Sequence, residues 1–290
     1  MPIFQIKGGA VARVAFTPDS FASEAKLRDF FAENLEELLG VRFLAKEYQT
    51  DAGFIDTLAI DEADTPVIIE YKWDQDRGIV PQGLFYLNWL LKNRNHFALL
   101  VASKLGKGAK VNWDRPRVIL VSREFDQRTL AAAQVIDNVE LVKYAPYQGG
   151  ILHLETVQGA PQKAKNKPLA PRIPDAPVYD LEYHLSASTP EVRQIFLKLR
   201  ERVTALPGVH ERLDQKSGIT YRTTKSFTRF EFSKTYIDIL VRDPKYNDPR
   251  ALVRDVTKNE WGYKGQMKIK EVPEVAAVFD VIRQSYESTL

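Results

Sequence analysis

Six side chains near the start of the chain have the types and spacing for phosphoryl chemistry: Glu24, Asp56, Glu70, Lys72, Gln82 and Tyr86. Glu70 and Lys72 flank Tyr71 at the end of the apolar run Val67-Ile68-Ile69, and strand alternation puts both charges on one face. Charges there must be paired, solvated or bound to a metal, because an isolated charge inside a sheet is too costly to keep. Asp56 precedes Glu70 by 14 residues, which suits the facing position on a neighbouring hairpin strand. Two carboxylates then converge on one cation. Mg²⁺ accepts that arrangement, taking one or two protein carboxylates and completing its shell with water and phosphate oxygens. Lys72 is placed to hold a water for attack on phosphorus, while a bound divalent ion lowers the pKa of water and neutralises the phosphate. Gln82 and Tyr86, four apart on a helix, share a face directed at the phosphate or its waters. Glu24 offers a third carboxylate, so the expected metal ligands are Asp56, Glu70 and Glu24. Each feature also has a plainer explanation: a salt bridge for Glu70 and Lys72, helix N-terminal electrostatics for Glu24, and a polar helix face for Gln82 and Tyr86.

The elements that must position these residues follow from periodicity. Leu27, Phe31, Leu35 and Leu38 recur at spacings of three and four, so a helix from Asp19 or Ser20 to Leu39 buries one stripe and stops at Gly40. Strands follow at 55–60 and 67–71, joined as a hairpin through the turn-rich residues 61–66. A helix spans 80–92, with Pro81 in its first turn. Further strands are expected at 97–101, 117–121 and 139–144, with a helix at 127–136. This mixed order points to an α/β fold with a mixed central sheet flanked by helices.

With these elements in place, Asp56, Glu70-Tyr71-Lys72 and Gln82-Gly83-Leu84-Phe85-Tyr86 resemble the motifs of the PD-(D/E)xK nuclease superfamily, in its RecB-like branch with a QxxxY motif. From about Ser20 to Leu100 the chain is most similar to the catalytic domain of NucS-type DNA endonucleases. The resemblance implies a restriction-endonuclease-like core and a Mg²⁺- or Mn²⁺-dependent endonuclease that leaves a 5′-phosphate and a 3′-hydroxyl, in DNA repair or in defence against foreign DNA. It also implies that Glu24, Asp56 and Glu70 are acidic site residues, Lys72 the catalytic lysine, and Gln82 and Tyr86 the branch-specific pair. The alternative is a catalytically silent nucleic-acid-binding or regulatory protein on the same fold. A double-strand cut would need two sites, which makes a homodimer plausible.

Composition bounds the rest. The 290 residues carry no cysteine, which excludes disulfides, thiolate metal sites and cysteine nucleophiles. No apolar run approaches the ~20 residues that cross a bilayer, and the N-terminus lacks signal-peptide architecture, so a cytoplasmic protein is expected. Residues 159–178 accumulate proline and lysine and read as a linker between a domain at 1–158 and an α+β domain at 179–290. The first domain has 18 basic against 21 acidic residues, a net −3, whereas the linker and the second domain are each at +3. DNA attraction is therefore expected from the second half, where Lys216, Arg222, Lys225, Arg229 and Lys234 alternate with aromatic residues in a strand-rich stretch. Ordinary solvated strand faces would carry the same pattern. Trp261-Gly262-Tyr263 reads as a turn. The four histidines lack ligand spacing.

Overall fold

The computed structural model describes residues 2–51, 53–73, 78–136, 138–157, 179–257 and 262–290. Two compact units divide the chain, Met1–Pro171 and Arg172–Leu290. The linker segment 159–178 and Trp261 lie outside the described residues.

The first unit begins with a hairpin of β1 (Phe4–Lys7) and β2 (Ala10–Arg13), which leaves Phe4, Ile6 and Val11 largely exposed. After a short 3₁₀ turn at Pro18–Ser20 comes α1 (Glu24–Glu33), and after a break at Asn34, α2 (Leu35–Leu39). The expected single helix is thus two, and its cap is Ser23, whose side chain accepts from the Lys26 N–H, rather than Asp19 or Ser20. The buried stripe of Leu27, Phe31 and Leu35 runs across the break, and Gly40 closes α2 in the left-handed conformation, where a Cβ would be strained.

β3 (Arg42–Thr50), β4 (Gly53–Ile60) and β5 (Pro66–Lys72) form an antiparallel meander. α3 (Ile79–Lys92) and α4 (Arg94–Leu105) then lead to β6 (Arg117–Ser122), parallel to β5. α5 (Gln127–Val135) crosses to β7 (Val139–Tyr147), parallel to β6, and β8 (Ile151–Val157) returns antiparallel. The six-stranded mixed sheet has the order β3-β4-β5-β6-β7-β8, flanked by helices on both faces, as the mixed order of elements led us to expect. Residues 97–101 are a correction: they lie within α4, not in a strand. Phe97 and Val101 are buried one helical turn apart while Leu99 is 68% exposed, so the burial period is helical although the five-residue apolar run resembles a strand.

Alternation divides the sheet between two cores. Ile68, Val118, Leu120 and Leu141 pack under α3 and α5, whereas Ile69, Tyr71, Ile119, Val121 and Val142 pack with Leu27, Phe31 and Leu35. α3 lies close on the sheet through Gly83: a Cβ there would come 2.7 Å from Val118 Cγ1 and 3.1 Å from Leu120 Cδ2. This contact sets the height of the helix that carries Gln82 and Tyr86.

The second unit carries α6 (Leu181–Leu185), α7 (Pro190–Thr204), β9 (His210–Gln215), β10 (Gly218–Arg222), β11 (Ser226–Phe232), β12 (Ile237–Val241), β13 (Arg254–Asp255), β14 (Gly265–Ile269) and α8 (Val275–Glu287). Its antiparallel sheet has the order β13-β14-β12-β11-β10-β9. Val192, Ile195, Phe196, Leu199 and Val203 of α7 and Val278, Val281 and Ile282 of α8 join Ile219, Tyr221, Phe230 and Ile239 in one core. Pro190 at the start of α7 and the Thr189 cap fix where that helix begins.

Gly83→Val is expected to overpack the contact between α3 and β6 and to destabilise the first unit by about 2 kcal/mol. Urea denaturation of the two proteins measures it; equal midpoints would show that α3 is free to shift.

Candidate active site

β4 and β5 bring two carboxylates together because they are antiparallel neighbours, so the start of β4 lies beside the end of β5. Glu70, fully buried on β5, accepts from the Asp56 backbone N–H at 3.3 Å and from the Gln82 side-chain amide at 2.7 Å. Asp56 accepts from the Tyr71 backbone N–H at 3.1 Å, and Arg28 of α1 stands 3.8 Å from its other oxygen. Each carboxylate thus holds on to the other strand's backbone, which fixes their separation through the sheet itself.

The electrostatics of the pair are unbalanced. Burial first, and the facing Asp56 second, push the Glu70 carboxyl up to about 9. Burial also raises Asp56, against the opposing pull of the Tyr71 N–H and Lys72. A buried carboxylate does not readily ionise against a half-buried one, so near neutral pH the pair either keeps a proton on Glu70 or takes up a cation. That donor set, two carboxylates at a strand end, fits Mg²⁺ or Mn²⁺.

Lys72 and Glu24 form the next layer. The Lys72 ammonium is 3.1 Å from Glu24 Oε1, and the Trp73 backbone N–H donates to Glu24 Oε2 at 3.3 Å. Glu24 is the first residue of α1, so the Ser23 cap that starts the helix also aims this carboxylate at the end of β5. Glu24, expected from the sequence as a third metal ligand, has its oxygens on Lys72 and on the Trp73 backbone N–H. Among the described residues, no group of three or more histidine or acidic side chains is gathered for a metal ion.

α3 supplies the last two residues. Gln82 reaches Glu70, and Tyr86, one turn later and nearly buried, packs its hydroxyl against Gly53. A Cβ at Gly53 would lie 2.9 Å from that oxygen, and its φ of +129° already favours glycine, so the start of β4 is shaped to receive Tyr86. Burial raises the Tyr86 hydroxyl, with Glu70 and Asp56 adding to the shift. All six residues expected from the sequence therefore meet at one edge of the first unit, with Asp56, Glu70 and Gln82 in mutual contact, Lys72 with Glu24, and Tyr86 bracing α3. Arg28 was not anticipated; it bridges Asp56 and Glu47, and its position one turn after Glu24 is the sequence signal that could have found it.

The five basic residues of the second unit do not gather on an open face. Arg222, Lys225 and Arg229 are buried, whereas Lys216 and Lys234 are exposed. Arg222 donates to the Thr224 carbonyl, and Arg229 contacts Ser217 and pairs with Glu231 at 3.3 Å. Tyr221, Phe227 and Phe230, expected beside them as a binding surface, are core residues.

No family model matches the chain. An uncharacterized protein of Haemophilus influenzae is 24% identical over 301 residues, spanning 98% of this chain and 99% of its own. Among solved structures, a chain of the structure titled "Structure of EndoMS-dsDNA2 complex" aligns with 46% of this chain and 61% of its own, at 15% identity and a TM-score of 0.24. The match takes in about three fifths of that chain's length.

The raised Glu70 fixes a sign for stability. Its folded pKa, about 9, lies above the ordinary 4.5, so its stabilising contribution is complete below pH 4.5 and is lost as pH rises through 9. In EDTA at pH 8, Glu70→Gln is therefore expected to melt a few degrees higher than the wild type, by roughly 2–4 °C for each kcal/mol relieved. The gap should shrink toward pH 5. Thermal melts at the two pH values measure it, and a Glu70→Gln protein less stable than wild type at pH 8 would contradict the stated environment.

Proposed function

We propose that the first unit is a Mg²⁺- or Mn²⁺-dependent phosphodiesterase of the PD-(D/E)xK type that cuts DNA internally. The observation that carries this reading is the Asp56–Glu70 pair: two carboxylates held against each other at a strand end, one of them buried and shifted up to about 9, with a lysine one residue beyond it on the strand's face. Lys72 engages Glu24 at 3.1 Å, and Glu70 stays shifted up to about 9 despite the pull of Lys72.

In this reading Asp56 and Glu70 hold the divalent ion, which when bound lowers the pKa of water and offsets charge on the phosphate. Gln82 fixes the rotamer of Glu70 by donating to Oε2, leaving the Oε1 side turned toward Asp56. Lys72 donates to the attacking water and orients it in line with phosphorus. As the new P–O bond forms, the attacking water gives up a proton to solvent, the bond to the 3′-oxygen breaks, and that oxygen leaves to take a proton from solvent. Glu24 keeps the Lys72 ammonium charged and aimed, and Arg28 holds Asp56 on its outer side. Tyr86 transfers no proton in this scheme; it seats α3 so that Gln82 reaches its partner.

The sequence also allowed a catalytically silent binding protein, and no contact within the site favours it. Labelled DNA with Mg²⁺ or Mn²⁺ should be cut by the purified protein, with single-stranded, duplex and RNA substrates run in parallel. Lys72→Ala should lower kcat by about 100-fold or more with an unchanged circular dichroism spectrum. Glu24→Gln, acting through Lys72, should lower it by about 10- to 100-fold. Full activity in Lys72→Ala would remove that residue from the mechanism, and no cleavage by the wild type of any substrate would leave the silent alternative standing.

A further inference from the structure

The acidic balance of residues 1–158 and the burial of three of the five basic residues in the second unit leave open where a polyanion would be held. A groove of about 860 Å³ at the C-terminal ends of β6 and β7 answers this. Its charged lining is Arg13, Arg123, Lys143, Glu124 and Glu155, with His153 beside them. We propose that this groove binds the sugar–phosphate backbone of the nucleic-acid strand entering the active site, with Arg13, Arg123 and Lys143 as its phosphate contacts. The proposal rests on the phosphodiesterase reading of that site and adds a binding path to it.

Three observations support it. First, the sheet register runs from the site into the groove: Lys72 pairs with Ser122, Ser122 with Lys143, and Lys143 with Glu155, so these residues share one face in one row. With strands about 4.8 Å apart, Lys143 lies roughly 10 Å from Lys72. Strand charges recur every ~3.4 Å of helix axis in a duplex, so the groove falls about three phosphates from the position Lys72 serves.

Second, two of its cations are uncommitted. Among the described residues, neither Arg13 nor Lys143 enters an ion pair, even though Glu155 stands opposite Lys143 in the β7–β8 ladder. A structural lysine would have taken that partner. Third, the wall between groove and site is continuous. Arg123 stacks over the Trp73 ring at 5.9 Å and donates to the Pro18 carbonyl, while the Trp73 N–H holds the same Glu24 that aims Lys72. Phe16, half exposed and edge-on to Tyr147 at 5.7 Å, gives the groove an aromatic side suited to a sugar or base.

The test reads charge rather than fold. Binding of fluorescein-labelled 20-mer duplex and single-stranded DNA is measured by anisotropy in EDTA, as a function of salt, for the full chain and for Arg13→Gln/Lys143→Gln. Losing two phosphate contacts should make the slope of log K against log salt shallower by about 1.8 on duplex and about 1.4 on single strands. Arg13→Gln alone should give about half of that, and Arg13→Lys/Lys143→Arg should restore the wild-type slope. A slope and affinity unchanged in the double variant, or a wild type whose binding ignores salt, overturns the groove. That result is separate from the fate of the site: cleavage by the wild type with Mg²⁺ or Mn²⁺ is scored on its own, so either reading can fail with the other intact.

Discussion

Everything in the first unit is arranged around one awkward fact, a fully buried carboxylate lying against a second carboxylate. Glu70 cannot reach water, and Asp56 offers it repulsion rather than charge relief. Such a pair persists only where its neighbours fix it from several sides. The backbone does most of this, since the Asp56 N–H donates to the Glu70 carboxylate and the Tyr71 N–H to the Asp56 carboxylate. The helix α3 does the rest, bringing the Gln82 amide to 2.7 Å. For that the helix must sit low, and Gly83 against Val118 and Gly53 against the Tyr86 hydroxyl are the two places where a missing side chain permits it.

Much of this was legible in the sequence because it depends on short-range periodicity. Alternation placed Glu70 and Lys72 on one face, the 14-residue interval placed Asp56 across a hairpin, and the four-residue spacing put Gln82 and Tyr86 on one side of α3. What periodicity does not encode is which charge finds which partner. Glu24 lies where the helix pattern put it, yet its oxygens are drawn to the Trp73 N–H and the Lys72 ammonium, the nearest donors at the end of β5. Short apolar runs failed for a related reason. Over five residues a buried helix and a buried strand present the same composition, and only the exposure of Leu99 between Phe97 and Val101 separates them.

The basic stretch of the second unit shows the opposite error, a pattern that was visible but misread. Arg222 and Arg229 alternate with aromatic residues as a binding face would, yet their guanidinium groups are turned to Thr224, Ser217 and Glu231 within the unit. Arg200 does likewise, gripping Glu211 with two hydrogen bonds while the buried Tyr221 hydroxyl donates to the same carboxylate. Arginine suits this work because its planar fork satisfies two acceptors at once, and its long apolar stem packs on the sheet. Counting charges along a sequence registers such residues as available to a polyanion when they are already spent on the fold. Conversely, a stretch with an acidic balance, residues 1–158, can still present cations in one groove.

A comparison within the central sheet argues that the two carboxylates are kept for chemistry. At the opposite end of the same strands, Arg117 is 2% exposed and lies between Asp61, at 3.2 Å, and Glu140, at 2.6 Å. Asp61 also accepts from the Ala63 and Thr65 N–H groups, so that cluster is closed: its charges are opposed and its acceptors used. A sheet whose interior is Val67–Ile69 and Val118–Leu120 admits polar groups only at its ends, and here both ends have them. The Arg117 end sets a guanidinium between its two acids and holds the strands together. The Glu70 end sets two acids against each other, with Arg28 on the outer side of Asp56, beside the C-terminal edge where β5, β6 and β7 all finish and where the groove of Arg13 and Lys143 begins. At one end an arginine lies between the acids, whereas at the other Arg28 reaches only the outer side of Asp56 and Glu70 stays shifted up to about 9, the arrangement on which the proposed divalent-ion site rests.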